Sequence, residues 1–328
     1  MIDLSVIIPC KNERLWIARC LDALLKQKEK GARLEIIVVD NGSTDGTQEI
    51  LASYGPTITY FILTGVAISE LRNHGVRHAR GQWLAFIDAD VTVCENWYES
   101  LNRAISDMQQ KGQDVSKILT GSTYLIPEKP TWVERVWFQQ LVARDKAGDN
   151  YINGGNLIVS KHFFMQLGGF RSDYQTGEDV KLCQDAVGLG GKIMKVEAIA
   201  AVHHGYPKTV RAFFKRERWH GLGMKQYLRR PWQLKDLLLA LYFLVLAFIF
   251  ILVVSFWPQI AVLAGGTGLA FFLPIFVLAS VRSGGEPKTL FPLTFLYFVY
   301  GWARVFSLFD IVQQAIILKS ASVKPPGH

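Results

Sequence analysis

Short apolar runs alternate with amphipathic stretches along the first part of the chain. Four runs are predicted to be buried strands because they are brief, apolar and followed by turn residues: Leu4–Ile8, Glu35–Val39, Ile58–Leu63 and Trp83–Ile87. Apolar residues recur at helical spacing in the intervening stretches: Asn12–Lys28, Asp45–Tyr54, Ile68–Arg80 and Glu95–Gln110. This alternation predicts an α/β domain with a mainly parallel, Rossmann-like sheet that has helices on both faces.

The alternation becomes less regular after the fourth predicted helix. Further strands are predicted at Lys117–Ile126, Asn156–Val159 and Lys192–Val202, and further helices at Pro130–Arg144 and Gly177–Val187. Trp132 and Trp137 lie on the first of these two helices, for which two interpretations stay open. Its apolar stripe either packs in the core or lies on a membrane surface with both indole rings at head-group level.

The last part of the chain is almost continuously apolar. Leu237–Trp257 and Ile260–Ser280 carry no charge, and each is long enough to cross a hydrocarbon core of about 30 Å. Thr289–Leu318 is apolar but interrupted by proline and charged residues, so it is either a third span or a shorter span that leads into an interfacial helix. We therefore predict an α/β domain over residues 1–230 and a membrane anchor of two or three helices over residues 231–328.

The formal net charge of +8 is concentrated just before the apolar region, where basic residues cluster between Lys208 and Lys235. Anionic lipid head groups attract such a juxtamembrane cluster, so a bilayer is a simpler partner than nucleic acid, which we do not expect. Basic flanks favour the cytoplasmic side of a membrane. The N-terminus lacks the features of a signal peptide, and the four cysteines are scattered, so we expect a cytoplasmic α/β domain on an inner or plasma membrane.

Polar residues follow three of the predicted strands, at Pro9–Glu13, Asp40–Asp45 and Asp88–Asp90. Ligands of parallel sheets bind at the carboxyl ends of the strands, so these clusters are expected to meet there. Asp88-Ala89-Asp90 offers hard oxygen ligands for Mg²⁺ or Mn²⁺ with substrate phosphates. Two such aspartates alone are a weak signal, because a strand-end Asp also caps helices.

The full set of motifs resembles the family 2 glycosyltransferases, which have the GT-A fold. The resemblance is carried, in the family's order, by Ser5–Glu13, Ile37–Thr47, Arg72–Gly75, Gly81–Asp90, Gly168–Phe170 and Gly177–Asp179. It implies a GT-A catalytic domain followed by transmembrane helices. It also implies inverting transfer of a sugar from a UDP- or GDP-sugar, with Mn²⁺ or Mg²⁺ as cofactor.

The resemblance also implies roles for individual residues. The donor nucleotide would be bound by Pro9, Asn12, Glu13, Asp40, Arg72, Asp88 and Ala89, and the metal by Asp90 and His203. Asp179 would be the catalytic base, with Glu178 beside it, and the acceptor and diphosphate would meet Gly155, Asn156, Arg218 and Trp219. Simpler interpretations stand beside several roles: a solvated helix charge for Arg72, an acidic first helical turn for Glu178 and Asp179, and a tight turn at the glycines.

Arg218 and Trp219 resemble the Q-x-x-R-W motif of processive synthases, but Lys215 stands in the place of the glutamine. A basic juxtamembrane helix is the alternative there. The predicted acceptor is a hydroxyl on a lipid-linked glycan or polysaccharide precursor, in contact with membrane lipids. Two alternatives stay open: a polyprenyl-phosphate sugar synthase, and a non-catalytic membrane protein that binds sugar nucleotides.

Overall fold

The computed structural model describes residues 3–146, 151–174, 176–223, 235–256, 261–283 and 286–322. Its strands are β1 (Leu4–Cys10), β2 (Leu34–Asp40), β3 (Thr59–Ile62), β4 (Trp83–Ile87), β5 (Val91–Val93), β6 (Ile118–Gly121), β7 (Asn156–Ser160), β8 (Lys192–Lys195) and β9 (Ala201–His203). Its helices are α1 (Ile17–Glu29), α2 (Thr47–Ser53), α3 (Ile68–His78), α4 (Trp97–Gln110), α5 (Trp132–Lys146), α6 (Lys161–Gln166), α7 (Glu178–Gly188), α8 (Val210–Gly221), α9 (Lys235–Phe256), α10 (Ala261–Ser283) and α11 (Pro287–Ser322).

The chain divides into two compact units, of which the first comprises Met1–Lys129 and Arg144–Tyr206 and the second Pro130–Ala143 and Pro207–His328. The predicted domain boundary at residue 230 lies outside the described residues, as do Lys225, Arg229 and Arg230 of the basic cluster. The division into a domain over 1–230 and an anchor over 231–328 stays a prediction.

The first unit is built on a seven-stranded sheet with the order β3-β2-β1-β4-β7-β6-β8. Every neighbouring pair is parallel except the two that involve β7, which is antiparallel to both β4 and β6. All residues of β1, β4 and β7 are buried, as expected for the central strands of a sheet covered on both faces. The predicted α/β fold with a mainly parallel sheet is confirmed.

The predicted strand Lys192–Val202 is wrong as one element. The chain leaves the sheet after Lys195, turns with an Ile199 N–H to Val196 carbonyl hydrogen bond of 2.9 Å, and resumes as β9. There it pairs with β5, which was not predicted, in a separate two-stranded sheet. The connection between them, residues 196–200, is itself mostly apolar, so hydrophobic pattern alone could not separate the two strands.

The second unit contains only helices among its described residues. Two of them, over Asp236–Phe256 and Pro287–Ile316, are long and apolar enough to cross a membrane by length and composition. The third predicted apolar segment is a single continuous helix, α11. Trp137 packs edge-on against Phe213 at 4.7 Å between ring centroids, whereas Trp132 is 45% exposed. The apolar stripe of α5 therefore belongs largely to the packed interior of this unit.

Candidate active site

The carboxyl edge of the sheet collects the polar residues that follow β1, β2 and β4. Asp88 comes directly after β4, and Asp90 directly before β5. Antiparallel pairing places Val91 opposite His203, and the His204 N–H donates to the Asp90 carbonyl at 2.9 Å. The short sheet of β5 and β9 thus brings the imidazole of His203 to the two aspartates.

Asp88, Asp90 and His203 each offer one ligand atom, and these atoms lie within 4.8 Å of one another. His203 Nε2 is 3.7 Å from Asp90 Oδ2. Gly205 lies against the same carboxylate so closely that a Cβ on this residue would collide with it. Two carboxylate oxygens and one imidazole nitrogen are a donor set that suits Mn²⁺ well, so these residues fit a divalent cation.

Arg72 on α3 connects this cluster to the start of α7. Its Nη2 donates to Asp88 Oδ1 at 2.7 Å and its Nη1 donates to Glu178 Oε1 at 2.5 Å, while its side chain is only 2% exposed. The guanidinium also lies over the ring of Phe170 at 5.3 Å. Arg72 was expected near the donor, and in this structure its charge is bound by two acidic side chains.

Glu178 and Asp179 begin α7, behind Gly177 in a left-handed conformation. Asp179 accepts backbone N–H hydrogen bonds from Gly154 at 2.9 Å and from Val180 at 2.8 Å. Burial raises the pKa of Asp179 above its ordinary value, although these N–H groups oppose the shift. Burial likewise raises the pKa of Glu178, against the attraction of Arg72. A carboxylate with a raised pKa is a better proton acceptor than an ordinary aspartate.

Hydrogen bonds connect the segment that follows β1 to the segment that follows β2. Asn12 adopts a left-handed φ of 57°, and its backbone N–H donates to Ser43 Oγ at 2.7 Å. Asp40 is fully buried and accepts hydrogen bonds from Ser43 and from Gln48. Pro9 lies beside Val39 in the parallel register of β1 and β2. The predicted nucleotide residues of these two loops are therefore neighbours.

Glu13 shows that negative charge accumulates at this edge. Burial, together with repulsion from Asp90 and Asp88, raises the pKa of Glu13 to about 8. Ala89, between the two aspartates, is buried. A cation at the site would relieve this repulsion and favour the ionised form of Glu13.

The reversal of β7 explains why the glycines before it reach the site. Asn156 begins β7 opposite Ile87, the last residue of β4, so Gly155 lies beside Asp88. A Cβ on Gly155 would collide with the Asp88 carboxylate and the Tyr124 hydroxyl. The amide of Asn156 is buried and bonded to Trp97, Ser122 and Ile199. Asn156 therefore shapes this edge from within the protein.

Arg218 and Trp219 lie on α8, in the second unit. Arg218 donates to both carboxylate oxygens of Asp310, with distances of 2.6 Å and 2.5 Å. Trp219 is 47% exposed. The predicted acceptor and diphosphate roles of these two residues stay predictions.

Two tyrosines at the site were missed by the sequence analysis. The rings of Tyr124 and Tyr206 lie 4.9 Å and 4.4 Å from the His203 imidazole, so they limit its movement. Burial and the nearby Asp88 raise the pKa of Tyr124 well above its ordinary value. Tyr124 follows β6 in an irregular segment without a motif, and the isolated bridge of Leu125 to Val202 brings it here.

Comparisons with known proteins agree with this fold. Residues 5–167, about half of the chain, match the family model of Glycosyl transferase family 2. Glycosyltransferase AglE of Haloferax volcanii is 29% identical over 212 residues, which is 62% of this chain and 67% of the relative. Uncharacterized glycosyltransferase YibD of Escherichia coli K12 is 37% identical over 101 residues, 30% of this chain and 29% of the relative.

Among solved structures, mannosyltransferase PcManGT from Pyrobaculum calidifontis, in complex with GDP-Man and Mn²⁺, superposes with a TM-score of 0.59. It is 20% identical and the match covers 94% of this chain and 88% of that chain, so the likeness concerns the fold. Together with the family match and the motifs at the strand ends, it identifies this chain as a glycosyltransferase of family 2 with the GT-A fold.

Proposed function

We propose that the protein transfers a sugar from a UDP- or GDP-sugar to a hydroxyl of a lipid-linked glycan or polysaccharide precursor, with inversion at the anomeric carbon. The observation that carries this proposal is the convergence of Asp88, Asp90 and His203 within 4.8 Å, joined through Arg72 to Glu178 beside Asp179. A metal-ligand set and a candidate base in one cluster are what nucleotide-sugar transfer requires.

The donor site in this proposal lies along the loops after β1 and β2. Pro9, Asn12, Glu13 and Asp40 line the nucleotide pocket, and Ala89 and Asp88 bound it after β4. Asp90 and His203 hold Mn²⁺ or Mg²⁺, which when bound offsets the diphosphate charge as a Lewis acid. The Mn²⁺ and GDP-Man of PcManGT, a protein with the same fold, support this assignment.

Asp179 accepts the proton of the acceptor hydroxyl as its oxygen attacks the anomeric carbon, and the bond from this carbon to the diphosphate breaks to release the nucleoside diphosphate. Its two backbone N–H bonds fix the carboxylate, and burial raises its pKa. Glu178 neutralises and orients Arg72, which also orients Asp88. Because Gly155 has no side chain, the Asp88 carboxylate and the Tyr124 hydroxyl can lie against its backbone, which supports a role for Gly155 in shaping the edge of the acceptor cleft.

Membrane association forms part of the proposal, with α9 and α10 crossing the bilayer and the catalytic unit in the cytoplasm. Only 11% of the most apolar stretch of α9 is buried inside the protein, so most of its side chains require another apolar environment. The exposed basic residues of α8 would face anionic head groups.

A polyprenyl phosphate is the second candidate acceptor, because a lipid phosphate suits an enzyme with apolar helices. A phosphate acceptor is already anionic and depends less on a base. Full activity of an Asp179→Asn variant on polyprenyl phosphate, with metal dependence retained, would favour this acceptor over a hydroxyl.

The test uses purified full-length protein in detergent with Mn²⁺. Release of nucleoside diphosphate from UDP-glucose, UDP-galactose, UDP-N-acetylglucosamine and GDP-mannose is measured with and without membrane lipid extract. We expect release from one donor, stimulated by lipid and lost in Asp90→Ala. Mn²⁺ binding by titration calorimetry is measured in parallel, and we expect Asp90→Ala and His203→Ala to weaken it.

The matched control is Asp107→Ala, which deletes an exposed carboxylate on α4. It should bind Mn²⁺ and turn over donor like the wild type. Metal-dependent nucleotide binding without release from any donor would instead support the non-catalytic alternative.

A further inference from the structure

The C-terminal helix α11 is too long for a simple membrane span. Its 36 residues extend about 54 Å at 1.5 Å per residue, against a hydrocarbon core of roughly 30 Å. It also carries Arg304 and Asp310 in its middle and later turns. A helix of this kind either protrudes far from the bilayer or lies along it.

One face of α11 is polar and bonded to other helices of the second unit. Arg304 pairs with Glu217 on α8 at 3.1 Å and with Asp236 on α9 at 3.3 Å. Asp310 accepts the two hydrogen bonds of Arg218, and Ser307 donates to the Arg218 carbonyl at 2.6 Å. This face of α11 therefore packs against other helices of the same unit, and its charged side chains are paired there.

The opposite face of α11 carries an exposed apolar stripe. Its members recur every three or four residues, or at multiples of that spacing, as one side of a helix requires. They are Phe291, Phe295, Phe306, Phe309, Val312 and Ile316, with exposed fractions of 43–65%. In the middle of the helix the same side packs against apolar helices, through Phe298 on Phe272 at 5.0 Å and on Phe243 at 5.9 Å.

Helices α5 and α8 contact the polar face of α11, and the start of α9 does so through Asp236, whereas apolar residues of α9 and α10 pack against its other face. On the polar side Tyr297 donates to Gln140 of α5 at 3.0 Å. Such an arrangement is that of a helix at a boundary between water-facing protein and hydrocarbon.

Helix α8 carries positive charge next to this stripe. Lys208 just before it, and Arg211 and Lys215 on it, are exposed. Phe214 of the same helix contacts the exposed Phe306 at 5.5 Å. Basic side chains beside aromatic ones suit the head-group and acyl boundary of an anionic bilayer.

We infer that α11 lies in the plane of the membrane interface, with its apolar stripe in the acyl boundary and its charged face on α8, and does not cross the bilayer. This inference rests on the proposed membrane association. It adds how the third apolar segment of the sequence lies relative to the bilayer. The occupant of the stripe is lipid. The alternative occupant, a second copy of this chain, is an outcome of the test below.

The test measures the depth of nitroxide labels in full-length protein reconstituted into phosphatidylcholine–phosphatidylglycerol vesicles. Labels are attached to Phe295→Cys and Phe309→Cys, which are fourteen positions and about 21 Å apart along α11. A Val245→Cys label in α9 reports on membrane insertion itself. Wild-type protein treated with the same reagent corrects for the native cysteines, of which Cys10, Cys20 and Cys183 are buried.

We expect the two α11 labels at equal depth, within about 5 Å, just below the head groups, and the α9 label much deeper. A difference of about 20 Å between the α11 labels, with a deep α9 label, would overturn the inference and leave membrane association intact. A water-exposed α9 label would overturn membrane association and, with it, this inference. Labels on α11 that neither oxygen nor a soluble nickel chelate reaches would indicate a second protein chain on the stripe.

Discussion

Two buried arginines, one in each unit, bridge acidic side chains in different surroundings. Arg72 joins Asp88 to Glu178 in the first unit, and Arg304 joins Glu217 to Asp236 in the second. Around Arg304 the charges are matched, because Arg216 adds a second positive charge near Glu217 and Asp310 has its own arginine. At the Arg72 site repulsion persists, since burial together with repulsion from Asp90 and Asp88 raises the pKa of Glu13 to about 8.

This difference distinguishes a structural ion-pair network, around Arg304, from a candidate ligand site, around Arg72. A balanced buried network holds helices together and has no need of a further ion. A cluster with unrelieved negative charge is costly to keep and is found where a ligand completes it. The same side-chain type thus has a structural role in one unit and a positioning role in the other.

The largest effect should follow from Asp179→Asn. The fold is kept because the amide retains the side-chain shape and one of the two backbone N–H hydrogen bonds of Asp179. Loss of a general base lowers kcat about 10²–10⁴-fold for a hydroxyl acceptor. Steady-state transfer by the purified variant measures this. Asp185→Asn, on the same helix, should retain activity, and an equal loss in that control would refute the assignment.

The second prediction compares the two arginines directly. Arg72→Met and Arg304→Met each leave two carboxylates without their cation, which should cost about 3–5 kcal/mol of stability. Thermal melts in detergent should show both losses. Well below the melting midpoints, only Arg72→Met should lower kcat, and Arg72→Lys should recover part of it. Equal effects of both variants on kcat would contradict the distinction between a structural network around Arg304 and a ligand site around Arg72.

The third prediction concerns protons released on metal binding. At pH 7 Glu13, with a pKa of about 8, is mostly protonated, and a nearby cation favours its carboxylate. Mn²⁺ binding should therefore release up to about one proton at pH 7 and less as the pH rises above 8. Calorimetry in buffers of different ionisation enthalpy counts these protons. Glu13→Gln should reduce the number of protons released. An unchanged number would show that Mn²⁺ binding does not change the protonation of Glu13.

The smallest effect is expected for Arg218→Gln. Its pair with Asp310 is partly exposed, with 42% of the Arg218 side chain accessible, so its loss should cost at most about 1 kcal/mol. If Arg218 serves only α11, KM and kcat should not change. A rise in the acceptor KM would instead support the predicted contact with acceptor or diphosphate.

The sequence predicted the elements of the sheet better than their directions. Strands β1, β2 and β4 and the carboxylates that follow them were predicted because a short apolar run followed by polar turn residues is a local pattern. The reversal of β7 was not predicted, since Leu157, Ile158 and Val159 place apolar side chains on both faces whichever way the strand runs. Its direction depends on pairing with β4 and β6, which only the folded chain shows.

The candidate site shows the same limit. Asp88 and Asp90 were proposed from their position at a strand end, and the family resemblance added Asp179 and His203. The structure brings the two aspartates together with His203. The bridge by Arg72 and the ring of Tyr124 beside His203 depend on contacts between distant segments. No spacing in the sequence encodes such contacts.

The pairing of β5 with β9 has a consequence for the order of folding. Asp90 is available early in synthesis, but His203 is more than a hundred residues later and meets it only when β9 docks. Closing so long a loop is slow compared with forming the first β-α-β units. The proposed metal-ligand set is thus completed at the end of the assembly of the first unit, and a nascent chain that ends before β9 should carry the sheet without the His203 ligand.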